Sequence, residues 1–567
     1  MKLRSFGCMV ALAVSSFAWA QVNGATGRML YNAKVFTGEP DHPYAEAVAI
    51  RGDKIVAVGT RQDVTNAVGA GAEAVDLDGR CLLPGLIDSH QHAIDGGLTL
   101  ITADAGDDPV SFNDLMALAA KAKKDGSGMR GDILYITGLN ISYWSKTEEL
   151  NARFSTGAYA NQPVLLEGYD GHTGWANRVM LGRAGVTQDF LSHLSDTARR
   201  YYGYGRDFEP NGFLVDAGLD KVSALLPDYS PEQYLQAGRA AVQYNYKLGI
   251  TAWLDPAATV ADLQTYQHLA EHGELKVHVA AFPVVDPRSD TDQLAMVEKL
   301  RQEFKGVPNL TVPGFKVFAD GVVEIPAQTA ALSKPYRNTG TNGELLFDPA
   351  RFAALVTAAD KAGLIVHVHA IGDRAVNEVL NGFEAARKAN GDSGLPDTIT
   401  HVQFASPSDT VRFRQLGVIA ALQLYWATGE RDSIELVKPY IDPVIYGWMY
   451  PARSLLDAGA TISGASDWPV STADVFQGIY QAETRKGPEG VLNAAERVPR
   501  EAMLYAYTRN SARAMNQQDR IGSIAPGKQA DLVLVDRDVL TVPAEALKDT
   551  RVLWTMIDGE IVYRAGR

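Results

Sequence analysis

The sequence predicts an α/β protein centred on a (β/α)8, TIM-type barrel, with a β-sandwich assembled from both ends of the chain and a large insertion after the first barrel strand. Three observations predict it. Eight short apolar runs lie at 85–89, 250–254, 277–282, 315–319, 365–369, 399–403, 418–423 and 462–466, and continuous apolar runs suit parallel strands buried on both faces. Amphipathic stretches such as 231–248, 292–304, 349–362, 374–389 and 451–458 separate most of them, the alternation expected of βα units. The two chain ends read instead as short strands and turns. At 567 residues, 46% hydrophobic and 21% charged, the chain can bury a large core and hold more than one domain.

Taken in order, residues 1–20 read as a signal peptide: Lys2 and Arg4, a short apolar run over 8–17, then Ala18-Trp19-Ala20 as a cleavage site. Cleavage after Ala20 implies a periplasmic or secreted bacterial protein, and no later stretch is apolar enough to cross a membrane. The mature chain would keep Cys81 alone, which excludes an intramolecular disulfide; preceding an apolar strand, Cys81 is expected to be buried. Residues 21–82 form the first half of the sandwich, read as strands without helices, with Arg51-Gly52-Asp53 as a hairpin turn. The barrel spans 83–517. Within it, 95–245 exceeds any ordinary crossover and carries its own strands at 132–137 and 163–166. The insertion is rich in aromatic residues, including Trp144, Tyr169, Trp175 and the tyrosines of 199–204. It is expected to cap the barrel mouth, a stabilising domain away from the site being the alternative. Residues 518–567 return to strands and complete the sandwich, with Asp558-Gly559 as a turn.

A net charge of -14 argues against a nucleic-acid partner. The first barrel strand ends in His90-Gln91-His92; a period of two puts both imidazoles on one side, close enough to share an ion. Lys316 lies in the fourth strand, His369 ends the fifth, His401 lies in the sixth, and Asp467 follows the eighth. Singly each has a plain structural reading. Together, at the ends of barrel strands where chemistry collects, they read as a metal site. His367 shares a face with His369, so either could serve. His42, His193, His268, His272 and His278 have no such placement and are expected to be structural or solvated.

These segments resemble the amidohydrolase-3 branch of the metal-dependent amidohydrolase superfamily, which includes the YtcJ-like proteins and N-substituted formamide deformylase. The matching motifs are LPGLIDSHQH, DGHTGWAN at 170–177, FKVFADG, HAIGDRAV at 369–376, THVQ at 400–403, SDWPV at 466–470 and GSIAPGKQADLVLVD at 522–536. The resemblance implies the barrel and composite sandwich, His90 and His92 on one divalent metal, and His369 and His401 on the same or a second one. It implies that Lys316 bridges two ions as a CO2-derived carbamate, and that Asp467 is both ligand and catalytic aspartate. Relatives often continue the fourth-strand motif as Asp-Gly-Ser and small residues; here Asp320-Gly321-Val322-Val323-Glu324 stands there, which implies a different pocket wall.

The expected function is hydrolysis of an amide-type, non-peptide C–N bond in a small N-acyl or N-formyl substrate, by hydroxide generated on one or two divalent ions, with zinc as the expected metal. A lactone, carbamate or ring C–N bond is the alternative substrate, and a non-catalytic binding or regulatory protein is the alternative class. Asp467 would shuttle the proton. His172 would touch the substrate carbonyl or merely fix its loop. Trp144, Tyr169 and Asp170 would line the substrate. A homo-oligomer is left open.

Overall fold

The computed structural model describes residues 27–69, 71–106, 110–289 and 292–566; the expected signal segment and Cys8 lie outside the described residues. Each of the eight apolar runs contains a strand: Leu86–Asp88 (β1), Ile250–Pro256 (β2), His278–Phe282 (β3), Gly314–Phe318 (β4), Ile365–Ala370 (β5), Thr398–His401 (β6), Ile419–Leu422 (β7) and Thr461–Gly464 (β8). β1, β2 and β3 pair in parallel in that order, and β4 to β8 do the same. The two arrays meet on both sides. On one side the Lys316 N–H donates to the Pro283 carbonyl at 2.9 Å; on the other the Ser89 N–H donates to the Gly464 carbonyl, also at 2.9 Å. This mixed α/β arrangement is consistent with the expected barrel.

Amphipathic helices return the chain between strands. Pro231–Lys247 precedes β2; Ser230 caps it, Gln233 completes a capping box, and Pro231 opens its first turn. Pro349–Lys361 precedes β5, with Asp348 accepting two backbone N–H groups at its start. Their apolar faces cover strands whose side chains are buried throughout, as in Ile-Val-His-Val-His-Ala of β5.

The chain ends share a sheet. Leu532–Val535 lies antiparallel to Cys81–Pro84, joining three C-terminal strands to three N-terminal ones. A second sheet is ordered Lys54–Gly59, Ala47–Arg51, Arg28–Tyr31, Glu73–Asp76. Leu30, Val48 and Ile50 from this sheet pack with Leu82, Leu532 and Trp554 from the other. Asp558 and Gly559 turn the last two strands with φ of 50° and 76°, the left-handed pair that a tight hairpin requires. Cys81 is buried, and burial pushes its thiol up to about 12. Two details differ from the sequence reading. A helix, Arg61–Val68, interrupts the strands, started by a capping box between Thr60 and Asp63. The run over 29–36 is two strands, broken where Asn32 takes φ of 53°.

The insertion builds a six-stranded sheet. It holds the two expected strands, Ile133–Leu139 and Val164–Gly168, and four others, Met129–Arg130, Thr173–Ala176, Tyr202–Tyr204 and Pro210–Val215. Leu115, Ile136, Phe154, Trp175 and Phe213 form the core on one side of it.

Candidate active site

Three side chains converge where β1 and β8 end. His90 Nε2 and His92 Nε2 lie 3.1 Å and 3.2 Å from the same oxygen, Asp467 Oδ1, and one ligand-competent atom from each residue lies within 4.8 Å of the others. The backbone holds them there. Buried Asp88 accepts the His90 N–H at 3.1 Å, the Ser466 N–H at 3.1 Å and the Ser466 hydroxyl at 2.5 Å. The Asp467 N–H donates to the His90 carbonyl at 2.8 Å. Asp467 has φ of 61°, and His401 and Val402 have φ of 72° and 45°. Left-handed backbone is costly for such residues, above all the β-branched valine, and clusters where function holds it in place.

The trio fits a divalent cation. His90 Nε2 and Asp467 Oδ1 are buried and lack any hydrogen-bond partner, a costly state for polar atoms unless something binds between them. Burial first, then the positive charge of Lys316, holds His90 well below the usual imidazole range, so its ring is neutral and ligand-competent. Burial alone would raise Asp467; the close contact with His92 and the positive charges of His401 and His92 bring it below the usual carboxylate value. Burial likewise opposes a charged His92, but Asp467 outweighs it and raises that pKa, a proton standing where a cation would. Two neutral imidazoles and a carboxylate are a ligand set suited to zinc and its neighbours.

Tautomers follow from the partners. His369 Nε2 faces the Gly321 carbonyl at 3.1 Å, which only accepts, so Nδ1 keeps its lone pair. His401 Nδ1 faces Gln423 Oε1 at 3.1 Å while the same amide donates to Thr400, so Nε2 is the free atom. His369 and His401 stand edge to face with ring centroids 4.5 Å apart, and His401 stacks on Trp426 at 5.6 Å. Neither joins the His90–His92–Asp467 group; the nearest approach of His401 to Asp467 is 4.0 Å. His367 pairs with His90, Nε2 to Nδ1 at 2.7 Å. Lys316 is 1% exposed, and burial pushes its amine down to about 7 against the opposing pull of Asp467.

The insertion reaches the same place. The rings of His172 and His369 lie 5.6 Å apart. His172 Nδ1 faces Asp216 Oδ1 at 2.8 Å. Burial opposes a charged ring, but the hydrogen bond and charge of Asp216 carry His172 up to about 9, leaving Nε2–H as the unengaged donor. Tyr169 donates its hydroxyl to Asp432. Asp170 closes a turn by accepting the His172 N–H and the Thr173 N–H at 3.2 Å and 3.0 Å. Trp144 is 4% exposed in the insertion core, its indole N–H donated to Thr173 at 2.6 Å. The geometry accounts for Asp170 as the brace of the His172 loop.

Four residues the sequence reading passed over belong to this region: Asp88, Asp216, Gln423 and Asp320. Asp320 accepts N–H groups from Ala331, Ile371 and Gly372 at 2.8, 3.0 and 2.8 Å. Asp88 and Asp320 stand in Leu-Ile-Asp and Phe-Ala-Asp-Gly, carboxylates beside strand ends that could have been singled out. Of the other histidines, His278 is buried against Asp531 at 3.0 Å, far along the chain from the site motifs.

Comparison with known proteins identifies the family. The family model described as "Amidohydrolase family" matches residues 73–563. The chain is 29% identical over 94% of its length to Protein LONG AFTER FAR-RED 3 of Arabidopsis thaliana, covering 91% of that protein. It is 25% identical over 94% of its length to N-substituted formamide deformylase of Arthrobacter pascens, covering 98% of it. In fold it resembles an uncharacterized metal-dependent hydrolase from Pyrococcus horikoshii, with a TM-score of 0.70, 24% identity, and coverage of 92% of this chain and 99% of that one. The chain belongs to the amidohydrolase family, in its amidohydrolase-3 branch.

Proposed function

We propose that this protein is a metal-dependent hydrolase that cleaves an amide-type, non-peptide C–N bond in a small N-acyl or N-formyl compound. The convergence of His90 Nε2, His92 Nε2 and Asp467 Oδ1, two of them buried without partners, carries the reading. It goes with one closed (β/α)8 barrel, a sandwich composed of residues 21–82 and 518–567, and export to the periplasm or medium after cleavage at Ala20.

His90, His92 and Asp467 would hold the cation, zinc by the chemistry of the set. Lys316, His369 and His401 would hold a second, with Lys316 as its carbamate; an amine pushed down to about 7 supplies the neutral form that reacts with CO2. Bound there, a divalent cation would activate water and polarise the substrate carbonyl. Asp467, ionised at neutral pH, accepts the proton of the attacking water and delivers it to the leaving nitrogen. That transfer decides the outcome, because an amide nitrogen leaves only when protonated. His172 presents Nε2–H to the carbonyl oxygen as negative charge develops there, and Asp216 keeps it protonated.

The experiment is elemental analysis of wild type and Lys316→Ala, with turnover of N-formyl and N-acyl amines by both. Two ions per chain, falling in the variant, together with amide hydrolysis by wild type, is the expected result. One ion with unmodified Lys316 replaces the bridged site by a single-ion one; a metal-loaded protein inert to every such amide overturns the function.

A further inference from the structure

We propose that Glu324 is a specificity-determining residue that selects amide substrates carrying a positively charged amine group beyond the scissile bond. This rests on the hydrolase reading above and names its substrate class. Glu324 follows β4, in Asp320-Gly321-Val322-Val323-Glu324. Two ties hold it beside the histidines. Three residues before it, Gly321 accepts from His369 Nε2 at 3.1 Å. Its own Oε1 accepts from Gln403 at 3.1 Å, and Gln403 is two residues past His401.

The site itself does not depend on this carboxylate. It is marked independently by the unpartnered, buried His90 Nε2 and Asp467 Oδ1. What Glu324 adds is a sign of charge. It forms no ion pair among the described residues, and its one side-chain hydrogen bond comes from a neutral amide. Burial first, then the charges of the carboxylates Asp432 and Asp170, raise it to about 7, with the Gln403 hydrogen bond opposing. Asp432 already accepts the Tyr169 hydroxyl, and its neighbour Arg431 is turned to Glu435 at 3.6 Å and Asn140 at 3.4 Å. His172, the cation on the loop of Asp170, is held by Asp216. A carboxylate kept among like charges, without a counter-cation, is unfavourable in the free protein and becomes favourable when a ligand brings the cation. An anionic substrate tail would meet only repulsion there, and a neutral one would gain no ion pair.

The test compares two isosteric substrates, the mono-N-formyl derivative of an alkyl diamine and that of the corresponding amino alcohol, on metal-loaded wild type, Glu324→Gln and Glu324→Asp. Wild type is expected to favour the diamine derivative by about tenfold or more in kcat/KM, through KM. Glu324→Gln loses that preference with metal content and thermal midpoint unchanged, and Glu324→Asp retains part of it. Equal use of both substrates by wild type, or an undiminished preference in Glu324→Gln, overturns the proposal. If wild type hydrolyses neither, the function above has failed separately, and calorimetry with the free diamine and amino alcohol decides: diamine binding that Glu324→Gln abolishes upholds the charge selection, and its absence in wild type overturns it.

Discussion

His90 Nδ1 and His367 Nε2 lie 2.7 Å apart in a fully buried contact. One proton is shared between two rings that burial keeps neutral, so if His90 is to ligate through Nε2, it must donate from Nδ1 and His367 must accept. On the proposed reading, His367 would orient a ligand from behind, and His369 is left with a free Nδ1 facing away from Gly321.

Replacing His367 with Phe therefore removes the acceptor and lets the His90 ring turn. Loss of such an outer partner weakens metal binding by roughly 10- to 100-fold. Chelator competition on His367→Phe should show that drop, while His367→Gln, which still offers an acceptor, should recover part of it. Unchanged affinity in His367→Phe would show that packing alone orients His90.

A second expectation concerns pH. His172 sits at about 9 because Asp216 outweighs its burial. As the useful form is the protonated one, turnover should be held below that value and fall as pH rises through it. In Asp216→Asn the falling limb should move toward the ordinary imidazole value. His172→Asn should lower kcat by roughly 100- to 1,000-fold, the usual cost of one oxyanion donor, with metal content unchanged. Lost metal would instead make His172 a scaffold residue.

The convergence of His90, His92 and Asp467 was legible because strands impose a simple rule: with a period of two and chemistry at strand ends, the three could be brought together across hundreds of residues. All eight strands showed as apolar runs for the same reason, since both faces are buried. The insertion was less legible. Thr173–Ala176, Thr-Gly-Trp-Ala, carries no apolar run that marks it, and its neighbours on both sides make it a strand. The burial of Trp144 in the insertion core was not legible, because an aromatic beside a cleft and one in a core look alike in sequence. The Asp216–His172 pair was invisible: the two are brought together by strand pairing between Thr173 and Val215, a register no local pattern encodes.

Away from the site, His278 and Asp531 tie β3 to the C-terminal strands, both nearly fully buried. Burial opposes charge on His278, but the charge and hydrogen bond of Asp531 raise its pKa above 6.5. A raised folded value means that the pair's contribution is fully present below 6.5 and fades as pH rises through the folded value. His278→Ala leaves Asp531 buried without its partner, at a cost of about 3–5 kcal/mol. Denaturant midpoints of wild type and variant should differ most in mild acid and converge as pH rises. A gap that does not change with pH would show that packing, not charge, accounts for the loss.

Gly97 is the position where a single methyl group should reach the site from a distance. The helix Ala93–Ile101 starts at His92, which is its N-cap, and it crosses the helix Pro231–Lys247 so closely that a Cβ on Gly97 would lie 2.0 Å from the Ala237 carbonyl oxygen. Both sides of that contact are backbone, so no flexible side chain can yield; the helices must separate. Overpacking of this kind costs about 1–3 kcal/mol. The displacement starts five residues from His92, and Asp467 is held on the other flank, because the His92 N–H donates to the Trp468 carbonyl at 2.8 Å. Gly97→Ala should therefore lower both the thermal midpoint and the metal content per chain, although the residue touches no ligand. Val64, buried against the sheet of Ala47–Arg51, gives the control: Val64→Ala should lower stability and leave metal content intact. Equal metal retention in the two variants would mean that the helix can shift without carrying His92 with it.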